Sequence, residues 1–245
     1  QIKTELEKSD DKKAVKLLPV LAGIGEKSTL SVAKSYLNKA GTKTAAILAL
    51  SNWSTDDAQP ELIALSRTEK GESLSTVVDG LIKQISKSSA TPEQKTLYLK
   101  DAFTIAQNVK QKQQVLQALQ SAGTFQAFLF CARFLDDSSL QRQANNATIN
   151  IALDHPEYTG DIVSNILRKA MKNMSSDEIA YLRAALERHL EKISSAKGFV
   201  ALFNDKDLSG WKGLVADPIK RKAMSATELE NYKLKLIRPC ALAGA

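Results

Sequence analysis

From Ser9 to Ser195 apolar residues recur at helical spacing in one short segment after another, with breaks only long enough for turns. Strands would need period-two alternation, so this stretch excludes a sheet protein. Ser9-Asp10-Asp11 opens the first segment, which puts Val15, Leu18 and Ala22 on one face and ends at Gly23 and Gly25. Ser28 caps the second, carrying Leu30, Ala33 and Leu37, and Thr42 opens a third that stops near Trp53. A fourth runs from Ala58 to Arg67. The fifth, Ser73 to Lys87, sets Leu74, Val77, Val78, Leu81, Ile82 and Ile85 on one side. Gly80 within it costs helix stability relative to alanine and is expected where two helices cross closely.

Further along, Thr91-Pro92-Glu93-Gln94 is the clearest start signal, a capping box with proline at the first helical position. The helix it opens carries Leu97, Leu99, Phe103 and Ile105. Val109 to Ala122 follows and ends at Gly123; then come Phe125 to Leu135 and Ser139 to Leu153. His155-Pro156 breaks the pattern, because proline disfavours helix at the residue before it. Ile162, Val163, Ile166, Leu167 and Ala170 mark the next helix. Ser175-Ser176-Asp177-Glu178 is a second capping box, opening a helix with Ile179, Leu182, Leu186, Leu190 and Ile193 on its stripe.

The segments recur in order. Ala45 to Ile85 reads as helix, turn with Asp56-Asp57, short helix with Pro60, glycine-bearing loop and helix. Val115 to Leu153 repeats that order, with Asp136-Asp137 in its turn. Each unit is about forty residues, the period of HEAT and armadillo arrays. Ala-Ile-Leu-Ala-Leu-Ser-Asn-Trp followed by Pro-Glu-Leu-Ile-Ala-Leu resembles a degenerate HEAT repeat. The resemblance covers roughly residues 10 to 195. It implies an all-α fold, an α-α superhelix whose helix pairs bury their apolar faces by stacking on their neighbours.

Composition agrees with packing through small and aliphatic side chains: 43% of residues are hydrophobic but only 6% aromatic. The net charge of +7 comes from lysines and arginines scattered between apolar positions. That is the pattern of a solvated helix surface more than of a nucleic-acid face. No apolar run is long enough to cross a membrane. Gln1 is not a translation start, which fits a removed signal peptide or a trimmed chain.

No catalytic constellation is legible. Cys131, inside Phe128-Leu129-Phe130-Cys131-Ala132, reads as a small buried hydrophobe. With two histidines, His155 and His189, and no clustered cysteines, neither a metal site nor a cofactor is expected. His189 reads as a partly exposed structural residue, and nothing near His155 in sequence would orient it. The aspartate pairs 56–57 and 136–137 suit turns and helix starts better than a cation. Lys220-Arg221-Lys222 reads as a solvated face.

One stretch breaks the helical pattern. Phe199, Ala201 and Phe203 alternate with Val200 and Leu202 before Asn204-Asp205, as in a strand and turn. Gly-Phe-Val-Ala-Leu-Phe-Asn-Asp-Lys-Asp-Leu-Ser-Gly-Trp, from Gly198, resembles the opening of the 3-keto-disaccharide hydrolase family. Phe199, Leu202, Phe203, Asn204, Lys206, Asp207, Leu208, Gly210 and Trp211 match its signature, and Asp205 stands where a glycine is usual. The resemblance implies the start of a concanavalin-like β-sandwich acting on sugars in secreted or periplasmic bacterial proteins. It carries over no catalytic residue, because the family's active-site segments are not in this chain. Leu236 to Ala245 continues no pattern and reads as a frameshifted tail.

The expectation is therefore a HEAT-like domain over 1–196 and a truncated sandwich fragment over 197–245. Its role would be a non-catalytic interaction or scaffold module of a secreted or periplasmic sugar-processing protein, with a protein or glycan partner. Two other readings stand beside it. One is part of a glycoside (3-keto-disaccharide) hydrolase whose catalytic domain is missing here. The other is a nucleic-acid glycosylase-like array, which requires a concave face of lysines and aromatics such as Trp53. A face of Ser, Gln and Ala would count against the latter.

Overall fold

The structure, a computed structural model, describes residues 2–174, 180–195, 218–229 and 231. Contacts divide the chain into two compact units, Gln1–Phe199 and Val200–Ala245. The described residues are helical with connecting turns and contain no strand. The motif between Phe199 and Trp211, the capping box at 175–178, Ile179, Cys240 and the tail 236–245 lie outside the described residues.

In the first unit, α1 (Ile2–Glu7) and α2 (Asp11–Ile24) precede α3 (Leu30–Ser35), which is flanked by 3₁₀ turns Lys27–Thr29 and Tyr36–Asn38. Then come α4 (Lys43–Ser51), α5 (Gln59–Thr68), α6 (Gly71–Lys87), α7 (Pro92–Ile105) and α8 (Val109–Ala122). The series ends with α9 (Phe125–Ala132), α10 (Gln141–Asp154), α11 (Asp161–Lys172) and α12 (Ala180–Ser195). The helix ends follow from local chemistry. Asp10, Thr91, Asn108 and Thr124 each accept a backbone N–H of the first turn they precede. Gln94 completes the box at Thr91 by accepting the Thr91 N–H at 3.1 Å. Gly25 and Gly123 terminate α2 and α8 in the left-handed conformation, at φ 64° and 67°.

The helices pack in two layers. α2, α4, α6, α8 and α10 lie against one another in chain order, and α12 touches α10. α5 bridges α4 and α6, α7 bridges α6 and α8, α9 bridges α8 and α10, and α11 bridges α10 and α12. A core of Leu, Ile, Val and many alanines runs between the layers; Trp53 and Phe128 are its largest fully buried side chains. Alanines at 14, 22, 33, 46, 49 and 58 let helices approach closely. Ion pairs Lys27–Asp57 (3.6 Å), Lys34–Glu61 (2.5 Å) and Lys43–Glu69 (2.9 Å) clip the α3–α4 region to α5. Each is exposed enough to be worth about 0–1 kcal/mol, so they set register more than stability.

Several faces differ from the sequence reading. Val15 is 39% exposed and Leu97 57%, because Ala14, Leu18, Leu21 and Ala22 on α2, and Thr96, Leu99, Ala102 and Phe103 on α7, take the buried stripe. Ser28 does not cap: it sits in the 3₁₀ turn and donates to Glu26 Oε1 at 2.7 Å. Thr42 precedes α4, but its hydroxyl donates to the Tyr36 carbonyl at 3.0 Å.

In the second unit, Pro218–Ala223 is a short helix, α13, carrying the run Lys220-Arg221-Lys222. Ser225 and Glu228 form a reciprocal cap before the helical turn at 226–229, with Ser225 N to Glu228 Oε2 at 2.8 Å and Glu228 N to Ser225 Oγ at 3.3 Å.

Candidate functional site

The outward faces of α6 and α8 border an open groove of about 560 Å³. Asp79, Lys83 and Ser86 recur at helical spacing along one wall, and Gln114, Gln117 and Ser121 along the other. Ile82 and Ala118 supply its apolar part. The polar residues face outward because each helix buries the opposite stripe: Val77, Val78, Leu81 and Ile85 on α6, and Val115, Leu116 and Leu119 on α8.

One wall is fixed by part-buried hydrogen bonds. Gln111, at the start of α8, donates from Nε2 to Asp79 Oδ1 (2.9 Å), to the Ser75 carbonyl (2.8 Å) and to Ser75 Oγ (3.0 Å). Its Oε1 accepts the Gln107 N–H at 2.9 Å, so a single buried amide ties α8 and the turn before it to α6. Lys83 Nζ donates to Oδ1 of Asn52, the residue that caps the end of α4, at 3.1 Å. The Gln114 and Gln117 amides, by contrast, are exposed and make no hydrogen bond among the described residues. Each offers a donor pair and an acceptor to a ligand. The groove is lined by one carboxylate, one ammonium and four neutral polar side chains, with no nucleophile–base pair among them.

The residues singled out from sequence lie elsewhere. His155 is oriented after all: Nδ1 lies 2.9 Å from Glu157 Oε1, and its ring stacks on Tyr158 at 4.8 Å between centroids. Sequence reasoning missed this because the partners are ordered by the turn that Pro156 creates. Tyr158 in turn donates to the Gly123 carbonyl at 3.1 Å and meets Phe125 edge-on, clasping this loop to the α8–α9 junction. The Glu157 carboxyl is held below the usual range by its own backbone N–H and then by His155. His155 Nε2 faces Gly123, where an added methyl would come within 2.9 Å, so the ring is part of a clasp.

His189 is buried, not partly exposed, and Nε2 has no hydrogen-bond partner among the described residues. Burial, then Lys192, lowers its pKa. Cys131 is fully buried, and desolvation pushes its thiol up to about 12. Asp137 accepts Ser139 Oγ (2.6 Å) and N–H (2.9 Å), which lower its pKa, while Asp136 pairs with Lys169 and Asp57 accepts the Thr55 hydroxyl. Among the described residues no group of His, Cys, Asp or Glu is placed to hold a metal, and no helix is long and apolar enough to cross a membrane. Trp53 lies in the core and presents no ring to a ligand.

No protein-family model, curated protein or solved structure matches the chain.

Proposed function

We propose that the chain is a HEAT-like helical-repeat interaction module, not catalytic by itself, that serves as a scaffold in a secreted bacterial sugar-processing protein. The repeat reading draws support from the alternation of the two layers. The units read at Ala45–Ile85 and Val115–Leu153 fall on α4-α5-α6 and α8-α9-α10, the same order of elements. Stacked pairs of this kind leave the outward helix faces free for a partner.

The observation that carries the interaction role is the α6–α8 groove, whose Gln114 and Gln117 amides are exposed beside an Asp79 anchored by Gln111. Such a surface suits the hydroxyls of a glycan or the polar groups of a protein. The sugar-processing context, and the alternative that this is one part of a 3-keto-disaccharide hydrolase, rest on the Gly198–Trp211 resemblance. Little supports the glycosylase-like reading: the groove holds Ser, Gln and Ala with one lysine and no aromatic.

The test is binding of the purified chain to neutral oligosaccharides, to secreted proteins in a pull-down and to duplex DNA, each at low and moderate salt. The expected result is a sugar or protein ligand that the double variant Gln114→Ala/Gln117→Ala releases. Salt-sensitive DNA binding that ignores this pair would overturn the reading.

A further inference from the structure

A second surface uses none of the groove residues. Phe103 of α7 meets Phe130 of α9 edge-on, with centroids 5.2 Å apart, and Phe134 just beyond α9 at 4.7 Å. Phe130 and Phe134 are themselves 5.4 Å apart, so the three rings form one cluster. Three cations border it. Lys100 Nζ and the Arg133 guanidinium carbon each lie 5.7 Å from the Phe130 ring centre, and Lys112 Nζ lies 5.6 Å from that of Phe103. None of the three makes an ion pair among the described residues. Of the nearby acids, Asp136 is engaged by Lys169, and Asp137 accepts two bonds from Ser139 and attracts Lys112 without pairing with it. Asp101 follows Lys100 in sequence and is exposed.

We propose that Lys100, Lys112 and Arg133 form a docking patch for the sulfate or phosphate ester groups of an acidic polysaccharide. A ring face attracts a cation through its quadrupole but uses none of its N–H donors. The cluster therefore holds three long side chains against its rings while their hydrogen-bonding capacity stays unspent, which reduces the ordering cost of binding an anion. The Arg133 fork matches two oxygens of a tetrahedral oxyanion, and the lysines act as point charges. The cations come from α7, α8 and the end of α9, so a polymer with an anion on successive units engages more of them than a single anion does. A single-stranded nucleic acid would need open ring faces to stack on, and Phe103 and Phe130 are buried against rings and cations.

The test is calorimetric titration of the full chain with a heparin-derived octasaccharide, and in parallel with single-stranded DNA and polyglutamate of matched charge. The variant Lys100→Gln/Lys112→Gln/Arg133→Gln removes the three charges while keeping the first two methylenes of each stem. The control Lys12→Gln/Lys16→Gln/Lys87→Gln removes equal charge from exposed sites elsewhere. The expected result is octasaccharide binding weakened about tenfold or more by the first triple and less than about twofold by the control. Equal loss in both triples, or tighter binding of DNA or polyglutamate, overturns the proposal. A readout needing no variant is lysine acetylation followed by mass spectrometry: bound octasaccharide should protect Lys100 and Lys112 but not Lys12 or Lys87, and uniform protection counts against the patch. Groove variants are expected to leave both readouts unchanged, so this site and the α6–α8 surface stand or fall separately.

Discussion

Gly80 of α6 crosses α4 at Ser51 so closely that a methyl on Gly80 would stand 2.6 Å from the Ser51 Cα. The crossing is locked one turn further on, where Gln84 Nε2 donates to the Leu50 carbonyl at 2.8 Å. A glycine in mid-helix thus reports a backbone-to-backbone approach, the arrangement that lets two helices of one layer lie side by side.

Gly80→Ala is accordingly expected to destabilise. Alanine gains about 1 kcal/mol of helix propensity, but overpacking against backbone costs about 1–3 kcal/mol and more where nothing can yield. A lower urea midpoint at unchanged slope is the expected outcome. An unchanged or raised midpoint would mean that α4 slides to make room.

Gln111→Leu should cost about 1–2 kcal/mol, because it leaves the Gln107 N–H without its acceptor and removes the amide's bonds to Ser75 and Asp79 of α6. It also frees Asp79, so any groove ligand should bind more weakly to the folded variant. Denaturation and ligand titration on the same sample separate the two effects.

The clasp at Gly123 makes a coupled prediction. Tyr158→Phe removes the bond to the Gly123 carbonyl and should cost about 0.5–1.5 kcal/mol. Gly123→Ala should cost about 1–3 kcal/mol, since a side chain at φ 67° is strained and meets His155 Nε2. Non-additive losses in the double variant are expected, as both act on one contact.

His189 predicts a pH dependence. Burial lowers its pKa in the folded state from the ordinary 6.5, so between those two values the unfolded chain binds the extra proton. Its contribution to stability is therefore complete above about 6.5 and is lost as pH falls from there toward the folded pKa. Urea midpoints measured from pH 8 down to pH 5 should decline, and His189→Leu should flatten that decline.

Helix boundaries were the most legible part of the chain. Val109 to Ala122 matches α8 residue for residue, since Asn108 and Gly123 act through bonds formed within one turn. The capping box at Thr91 was legible for the same reason. Gly80 signalled a crossing but could not name Ser51, thirty or so positions away in a separate helix. The groove was not legible: Asp79, Lys83, Gln114 and Gln117 read only as members of solvated faces.

For the described residues, the sequence by itself determined that the chain is built of helices, where most of them begin and end, and which stripe of most helices is apolar. Those outcomes rest on caps, turn residues and spacing, all decided within a few residues. Only the tertiary structure decided which faces meet. It left Val15 and Leu97 exposed, buried Trp53 and His189, gave His155 its partners, and set α6 beside α8 with two unspent amides between them. Packing compares every apolar face with every other at once, and no local pattern carries that comparison.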